Sequence, residues 1–416
     1  MCINKVYTLQ VNNLNKNIFF LTLVQFANYI APLLVLPYLG RVLGLDGFGV
    51  VAMGMSLCSM VLIITEYGFG VSAPYWLAKN KKNRAEVSSY VGAIFLVKAL
   101  LFLLSVVAVS IYFMLMTEIP RSTLLHVAIL ASIFFQTFQL SWFFLGIEKM
   151  KNVTIFTVTA KLSYLALVFL CVNDKLDLAL VFVCYAISNL FATAIGIVFL
   201  YKEKYWIARP TKKQTWEVFK NSGLFFISRL AVGVYTSAST FLVGNFAGLD
   251  AAALYGSAEK LYQAGQSATS PVSQALYPYL ARTGDKQALY KFVGVLLIPL
   301  CIGVAGCIYY AEPIITLIFG EEFIAATELL KVFLLTLLIN FVGVNFGYPA
   351  FSIIGRVDIA NKTVIFGAVL QLISILTLYS MSAITAKNIC LSVLVVECVV
   401  MLIRIITYWG LINNKK

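Results

Sequence analysis

The stretch Ser89–Phe113, SYVGAIFLVKALLFLLSVVAVSIYF, runs for 25 residues with one charged side chain, Lys98. An α-helix rises about 1.5 Å per residue, so about 20 apolar residues cross the hydrocarbon core of a bilayer. The run is too long for a strand and shows no sustained alternation, which makes it a transmembrane helix holding a lysine at membrane depth. Working outward from it, similar apolar runs recur between short polar interruptions, twelve in all, from Ile18–Tyr38 to Ile389–Leu411. Composition agrees: of 416 residues, 61% are hydrophobic and 12% charged, with a mean hydropathy of +0.90. A water-soluble chain carries about 25% charged residues, so lipid is the expected solvent. The polar start, Met1–Asn17, has no apolar signal core and no small-residue cleavage site, so Ile18–Tyr38 is read as a helix of the mature chain.

The charge balance, 31 Lys and Arg against 18 Asp and Glu, orients these runs. With the N-terminus in the cytoplasm, 21 basic residues fall in cytoplasmic segments and only Arg41, Arg121, Lys175 and Lys387 in outer loops. That asymmetry is the positive-inside signature, and it places both termini in the cytoplasm and makes the number of spans even. The basic excess is thereby a topology signal, and nucleic acid is not an expected partner. Trp76, Trp142, Trp206, Trp216 and Trp409 all fall near the predicted cytoplasmic boundary, as interfacial anchors would. Eight cysteines without a C-x-x-C pair, and a single histidine, His126, suggest neither a metal site nor a disulfide framework. No nucleophile–base constellation is visible, so no catalytic residue and no organic cofactor are expected.

The longest basic interruption lies near the middle of the chain. It divides the sequence into a six-helix lobe, 1–201, a cytoplasmic linker, 202–221, with a short in-plane amphipathic helix at Thr215–Phe219, and a second six-helix lobe, 222–416. Two short strings repeat across this division: Phe19-Phe20 recurs as Phe225-Phe226, and Gly44-Leu45-Asp46 recurs as Gly248-Leu249-Asp250. Parallel repeats of this size characterise secondary transporters, whose substrates bind near the membrane midplane. The outer connections are short, which argues against a membrane polymerase with a catalytic domain on that side.

Charges at membrane depth are costly and by default face a bundle interior or a wet cavity. Lys98, Lys161 and Arg229 lie seven to ten residues from the cytoplasmic ends of their spans, roughly 10–15 Å deep at helical rise. Lys260 and Lys331 lie at similar depth from the outer side, and Arg404 sits about two turns from the cytoplasmic end of the last span. These six cations are the candidate lining of a cationic cleft for an anionic substrate such as a lipid pyrophosphate; snorkelling to the interface is the alternative, most readily for Arg404 and Lys331. Glu259, Glu397 and, nearer a helix end, Glu66 are candidate sites for a coupling ion, H⁺ or Na⁺, or else simple offsets to neighbouring cations. Gln25 and Asn28 share a face of the first span and are polar cleft candidates, with helix-to-helix hydrogen bonding as their other role.

Three strings carry a family resemblance: PYLGRVLG at Pro37–Gly44 followed by Gly47-Phe48-Gly49, WFFLGIEKM at Trp142–Met150, and EPIITLIFGEEF at Glu312–Phe323. They resemble junctions of the polysaccharide-biosynthesis flippases of O-antigen type, the Wzx proteins. The resemblance implies the MATE-like fold of the multidrug/oligosaccharidyl-lipid/polysaccharide exporters, two six-helix lobes around a central cleft. It further implies translocation of undecaprenyl-pyrophosphate-linked oligosaccharide across the bacterial inner membrane, beside other polysaccharide assembly proteins. The alternative is a cation-coupled multidrug antiporter of the same fold, which calls for an acid-lined cavity.

Overall fold

The computed structural model describes the backbone of residues 2–80, 83–115 and 122–413, and their side chains except at 2–22, 26, 29–30, 228, 231–232 and 234–237. Arg121 of the charge sorting and the Phe19-Phe20 side chains therefore lie outside the described residues. Among the described residues all regular structure is helical, and nine stretches are long and apolar enough to cross a membrane. The first of these, Ala31–Asn80, contains the end of the expected first span and the whole of the second, joined by a sharp turn at Gly44. The expected eighth span is a helix outside the nine, because Glu259, Lys260 and many Ser, Thr and Gln residues dilute its apolar character, and the expected seventh falls partly outside the described side chains.

By packing, the chain divides into two units, Met1–Val35 with Leu57–Leu230, and Leu36–Ser56 with Ala231–Lys416. The first contains most of α1 (Cys2–Glu66), then α2 (Phe69–Asn80), α3 (Arg84–Leu115), α4 (Thr123–Thr137), α5 (Ser141–Gly146), α6 (Met150–Cys171), α7 (Leu178–Lys202) and the start of α8 (Lys212–Ala247). The second contains the rest of α8, then α9 (Leu249–Thr283), α10 (Lys286–Tyr309), α11 (Ala311–Phe319), α12 (Ala326–Asn345), α13 (Tyr348–Ile353), α14 (Val357–Ser380) and α15 (Ala386–Asn413). The middle segment of α1 packs with the second unit, a grouping that chain order did not suggest. One expectation is corrected here. Thr215–Phe219 is no separate in-plane helix but the first turns of α8, since no proline or cap interrupts that helix before Ala247.

The lipid solvent is visible in which side chains face outward. On α3, Leu100, Leu103, Leu104, Val107 and Ile111 are exposed apolar residues at helical spacing, and α10 and α14 show the same stripes. Interiors are aromatic. In the first unit Phe69, Trp142, Phe143, Phe144 and Phe156 form one core, with Trp142 1% exposed. This corrects the reading of Trp142 as an interfacial anchor: the short α5 turns it inward, whereas Trp206 and Trp216 are exposed.

The repeated Gly-Leu-Asp strings adopt one backbone geometry. Gly44 has φ 70 and ψ −173, and Gly248 has φ 92 and ψ 172. Only glycine takes this combination without strain, so each string forms the same turn between two helices. The two turns also meet within the second unit. A Cβ on Gly49 would lie 2.2 Å from the Leu249 carbonyl oxygen, a backbone approach that only glycine permits. Phe48 packs edge-on against Phe319 and Phe323 at 5.7 and 5.3 Å, the Leu45 N–H donates to Glu322 Oε2 at 3.0 Å, and Arg41 donates to the Leu317 carbonyl.

Candidate functional site

The site is a cavity of about 310 Å³ inside the second unit, with polar groups set among apolar ones. Its wall from α9 carries Tyr255, Glu259, Tyr262, Gln263 and Gln266, spaced i, i+4, i+7, i+8 and i+11, so one helical stripe supplies all five. The α15 wall repeats the logic with Val393, Glu397, Val400 and Arg404. Ser239 of α8, Asn340 and Phe333 of α12 and Thr363 of α14 also line it. In a bundle surrounded by lipid, such stripes are stable only where they face one another, because each exposed polar group would otherwise lose its partners in hydrocarbon.

The polar groups are individually held. Glu259 Oε2 accepts from the Thr240 hydroxyl at 2.7 Å, and Glu397 Oε1 accepts from Asn340 Nδ2 at 3.1 Å. Gln266 Nε2 donates to the Tyr262 hydroxyl at 2.8 Å, and the Tyr262 ring stacks on Phe333 at 5.1 Å. Arg404, 7% exposed, donates through Nε to Thr363 Oγ1 at 2.9 Å and through Nη1 to the Gly343 carbonyl at 2.8 Å. The cavity thus joins two carboxylates and one guanidinium, each anchored by a neighbouring helix, with amide and phenol groups between them. Such an arrangement can bind and release a small cation or proton, because the carboxylates have ligand oxygens while the arginine limits the charge left behind.

The gathering of Glu259, Glu397 and Arg404 was not evident from their positions, and Tyr255, Tyr262, Gln266, Thr240 and Thr363 were not singled out by the sequence. Their signal was available for α9 as the polar i, i+4, i+8 stripe. The remaining candidates sit elsewhere. Lys260, beside the cavity, donates to Gln263 Oε1 at 3.0 Å. Lys331 forms an ion pair with Glu328 at 2.8 Å, with the two side chains 40% and 70% exposed. In the first unit Arg229, Glu66 and Gln25 are exposed, and Lys161 and Asn28 are half-buried. Lys98 is 1% exposed, donates to the Thr137 carbonyl at 2.7 Å, and has its ammonium 6.0 Å from the Trp142 ring.

Lys98 and Arg404 share a role that sequence could not reveal. Thr137 ends α4, where the expected fourth span breaks before α5. Gly343 lies in the last turn of α12, where the expected tenth span breaks before α13. A broken helix in a membrane leaves carbonyls without intrahelical donors, and its C-terminal end is partially negative. In each unit a buried cation from another helix supplies the missing donor. The breaks occupy equivalent places in the two halves of the chain, the fourth helix of each six.

Nine membrane-length apolar stretches among the described residues, with a repeated turn and a broken helix in each half of the chain, define an integral membrane protein, and its fold is MATE-like. The chain superposes on a multidrug resistance MATE family transporter of the MOP superfamily, inward-facing, with TM-score 0.68 at 13% identity, over 96% of this chain and 98% of that one. It also superposes on the lipid II flippase MurJ in an inward closed conformation, with TM-score 0.71 at 13% identity, over 94% and 87% of the two chains. In sequence, residues 14–284 match the polysaccharide biosynthesis protein family, and the chain belongs to that family. It is 28% identical to a putative O-antigen transporter of Shigella dysenteriae over 86% of this chain and 91% of the relative. A putative O-antigen transporter of Escherichia coli K12 is 27% identical over 69% of this chain and 68% of its own.

Proposed function

We propose that the protein is a flippase that moves an undecaprenyl-pyrophosphate-linked oligosaccharide, the repeat unit of O-antigen or a related surface polysaccharide, from the cytoplasmic to the periplasmic face of the bacterial inner membrane. The observation that carries this reading is the likeness to an O-antigen transporter along 86% of the chain. The MATE-like fold supports alternating access, and cations at membrane depth, Lys161 and Arg229 among them, offer an anionic head group a favourable path while the polyprenyl tail stays in lipid. The cavity of Glu259, Glu397 and Arg404 is the proposed coupling site for H⁺ or Na⁺, remote in role from the glycan. A multidrug antiporter would share the fold, but the relatives in sequence carry the glycan name. Both termini lie in the cytoplasm on this reading, with the other polysaccharide assembly proteins as working partners, and the protein carries out transport and no covalent chemistry. A deletion strain should accumulate lipid-linked repeat units on the cytoplasmic side. Accumulation on the periplasmic side, or none at all, refutes the proposal.

A further inference from the structure

The first unit holds a second cavity, of about 400 Å³, that the coupling and cleft arguments do not use. It lies where the end of α2, the start of α3 and the start of α8 meet, beside the basic loop that the charge asymmetry assigns to the cytoplasm. We infer that this cavity is a recognition site for a pyranose of the glycan head group on the cytoplasmic side. The inference rests on the flippase reading for the identity of the glycan, and on the cavity's own chemistry for the ligand class.

A pyranose presents an apolar face of C–H groups and a rim of hydroxyls that each donate and accept. The cavity offers both complements. Trp76 and Tyr90 are stacked at 3.9 Å with 12° between their planes, a rigid aromatic wall. Around it stand the carboxylates of Glu86 and Glu217 and the amides of Gln214 and Asn221. The floor is closed by the Ser72 and Ser222 hydroxyls, hydrogen-bonded at 2.9 Å.

Gln214 is held in a way that commits it to a ligand. Thr211 and Gln214 form a capping box at the start of α8: the Gln214 N–H donates to Thr211 Oγ1 at 3.2 Å and the Thr211 N–H donates to Gln214 Oε1 at 3.1 Å. Ser89 also donates to that Oε1, at 2.8 Å. The oxygen is thus fully used, while the two amide hydrogens on Nε2 have no acceptor among the described residues. A preset donor next to two carboxylate acceptors and a flat aromatic surface matches a ring of sugar hydroxyls.

Two other ligand classes fit less well. A phosphate group would meet Glu86 and Glu217 with no cation among the lining residues. An organic cation offers the Gln214 amide donor no acceptor, and the Tyr75 ring already has Lys79 over it at 4.1 Å.

The test uses the full-length protein in lipid nanodiscs, titrated calorimetrically with the oligosaccharide released by mild acid from the strain's own lipid-linked repeat unit, free of lipid and pyrophosphate. Saturable binding is expected, weakened tenfold or more by Trp76→Leu and by Gln214→Ala; the latter sits at the half-exposed rim and keeps the fold if Trp76→Leu does not. Absence of saturable binding, or binding unchanged in correctly folded Gln214→Ala, overturns the inference. So does binding of choline or inorganic pyrophosphate that Gln214→Ala abolishes while the oligosaccharide gives no heat. The deletion strain separates the two proposals: cytoplasmic accumulation with no sugar binding sinks the site alone, and variant-sensitive sugar binding without accumulation sinks the flippase reading alone.

Discussion

The carboxyl group of Asp250 neighbours that of Asp46, the residue at the equivalent place in the first half of the chain, closely enough for the two to share a proton. Both follow the Gly-Leu turns that share one backbone geometry, so the internal repeat ends in a contact between its own two copies. Sharing a proton with Asp46, aided by partial burial and by repulsion between the carboxylates, raises the Asp250 carboxyl above its ordinary value of 3.8. Glu322, held by the Leu45 N–H, and Arg41 are the neighbouring charged groups.

A raised carboxyl means that this arrangement binds more protons than a separated one. Its stabilisation is complete below the ordinary value of 3.8 and is lost as pH climbs through the raised value. Asp250→Asn keeps a donor toward Asp46 without the repulsion. Its melting temperature should therefore exceed that of the wild type at pH 7, and the difference should shrink or reverse toward pH 4. Parallel melting curves for the two proteins across this range would contradict the assignment.

Gly49 should tolerate no side chain. Alanine there would place a methyl 2.2 Å from the Leu249 carbonyl oxygen, and overpacking of this kind costs about 1–3 kcal/mol. Gly303, in the middle of α10 with nothing within 4 Å of a built Cβ, should gain about 0.5–1 kcal/mol from the same substitution through helix propensity. Thermal denaturation in one detergent compares them; equal effects would show that the two turns do not approach as closely as described.

Lys98 and Arg229 should part company. Lys98→Met removes the ammonium donor from the Thr137 carbonyl at a helix break and should cost about 1–3 kcal/mol in stability. Arg229 is exposed, so Arg229→Ala should stay within about 0.5 kcal/mol and act, if the head group passes it, on transport alone. Protein yield and melting temperature, set against surface glycan display at matched protein level, distinguish the two. A Lys98→Met protein as stable as wild type would remove the capping role.

In the second unit's cavity, Glu397→Gln retains an oxygen for Asn340 but not the charge, and Glu259→Gln does the same toward Thr240. Each should reduce glycan display tenfold or more at normal protein level and abolish the response of reconstituted transport to an imposed H⁺ or Na⁺ gradient. A variant that still answers the gradient as wild type does rules that carboxylate out as the coupling site.

The amino-acid sequence by itself determined the solvent, the helical runs and the internal repeat. Each is a property of residues close together in the chain: hydropathy averages over a span, and a glycine string that demands a particular turn. Hydropathy also shows how deep a charge lies. It does not show which neighbour that charge meets, because direction around the helix acquires meaning only when another helix packs there. Tertiary structure alone decided that Lys98 and Arg404 satisfy carbonyls at broken helices, that Lys331 pairs with Glu328, that Trp142 points into a core, and that Glu259, Glu397 and Arg404 share a cavity. The second cavity is the extreme case. Its walls come from three segments distant in sequence, and Gln214 becomes a free donor only because its oxygen is spent on capping its own helix and on Ser89.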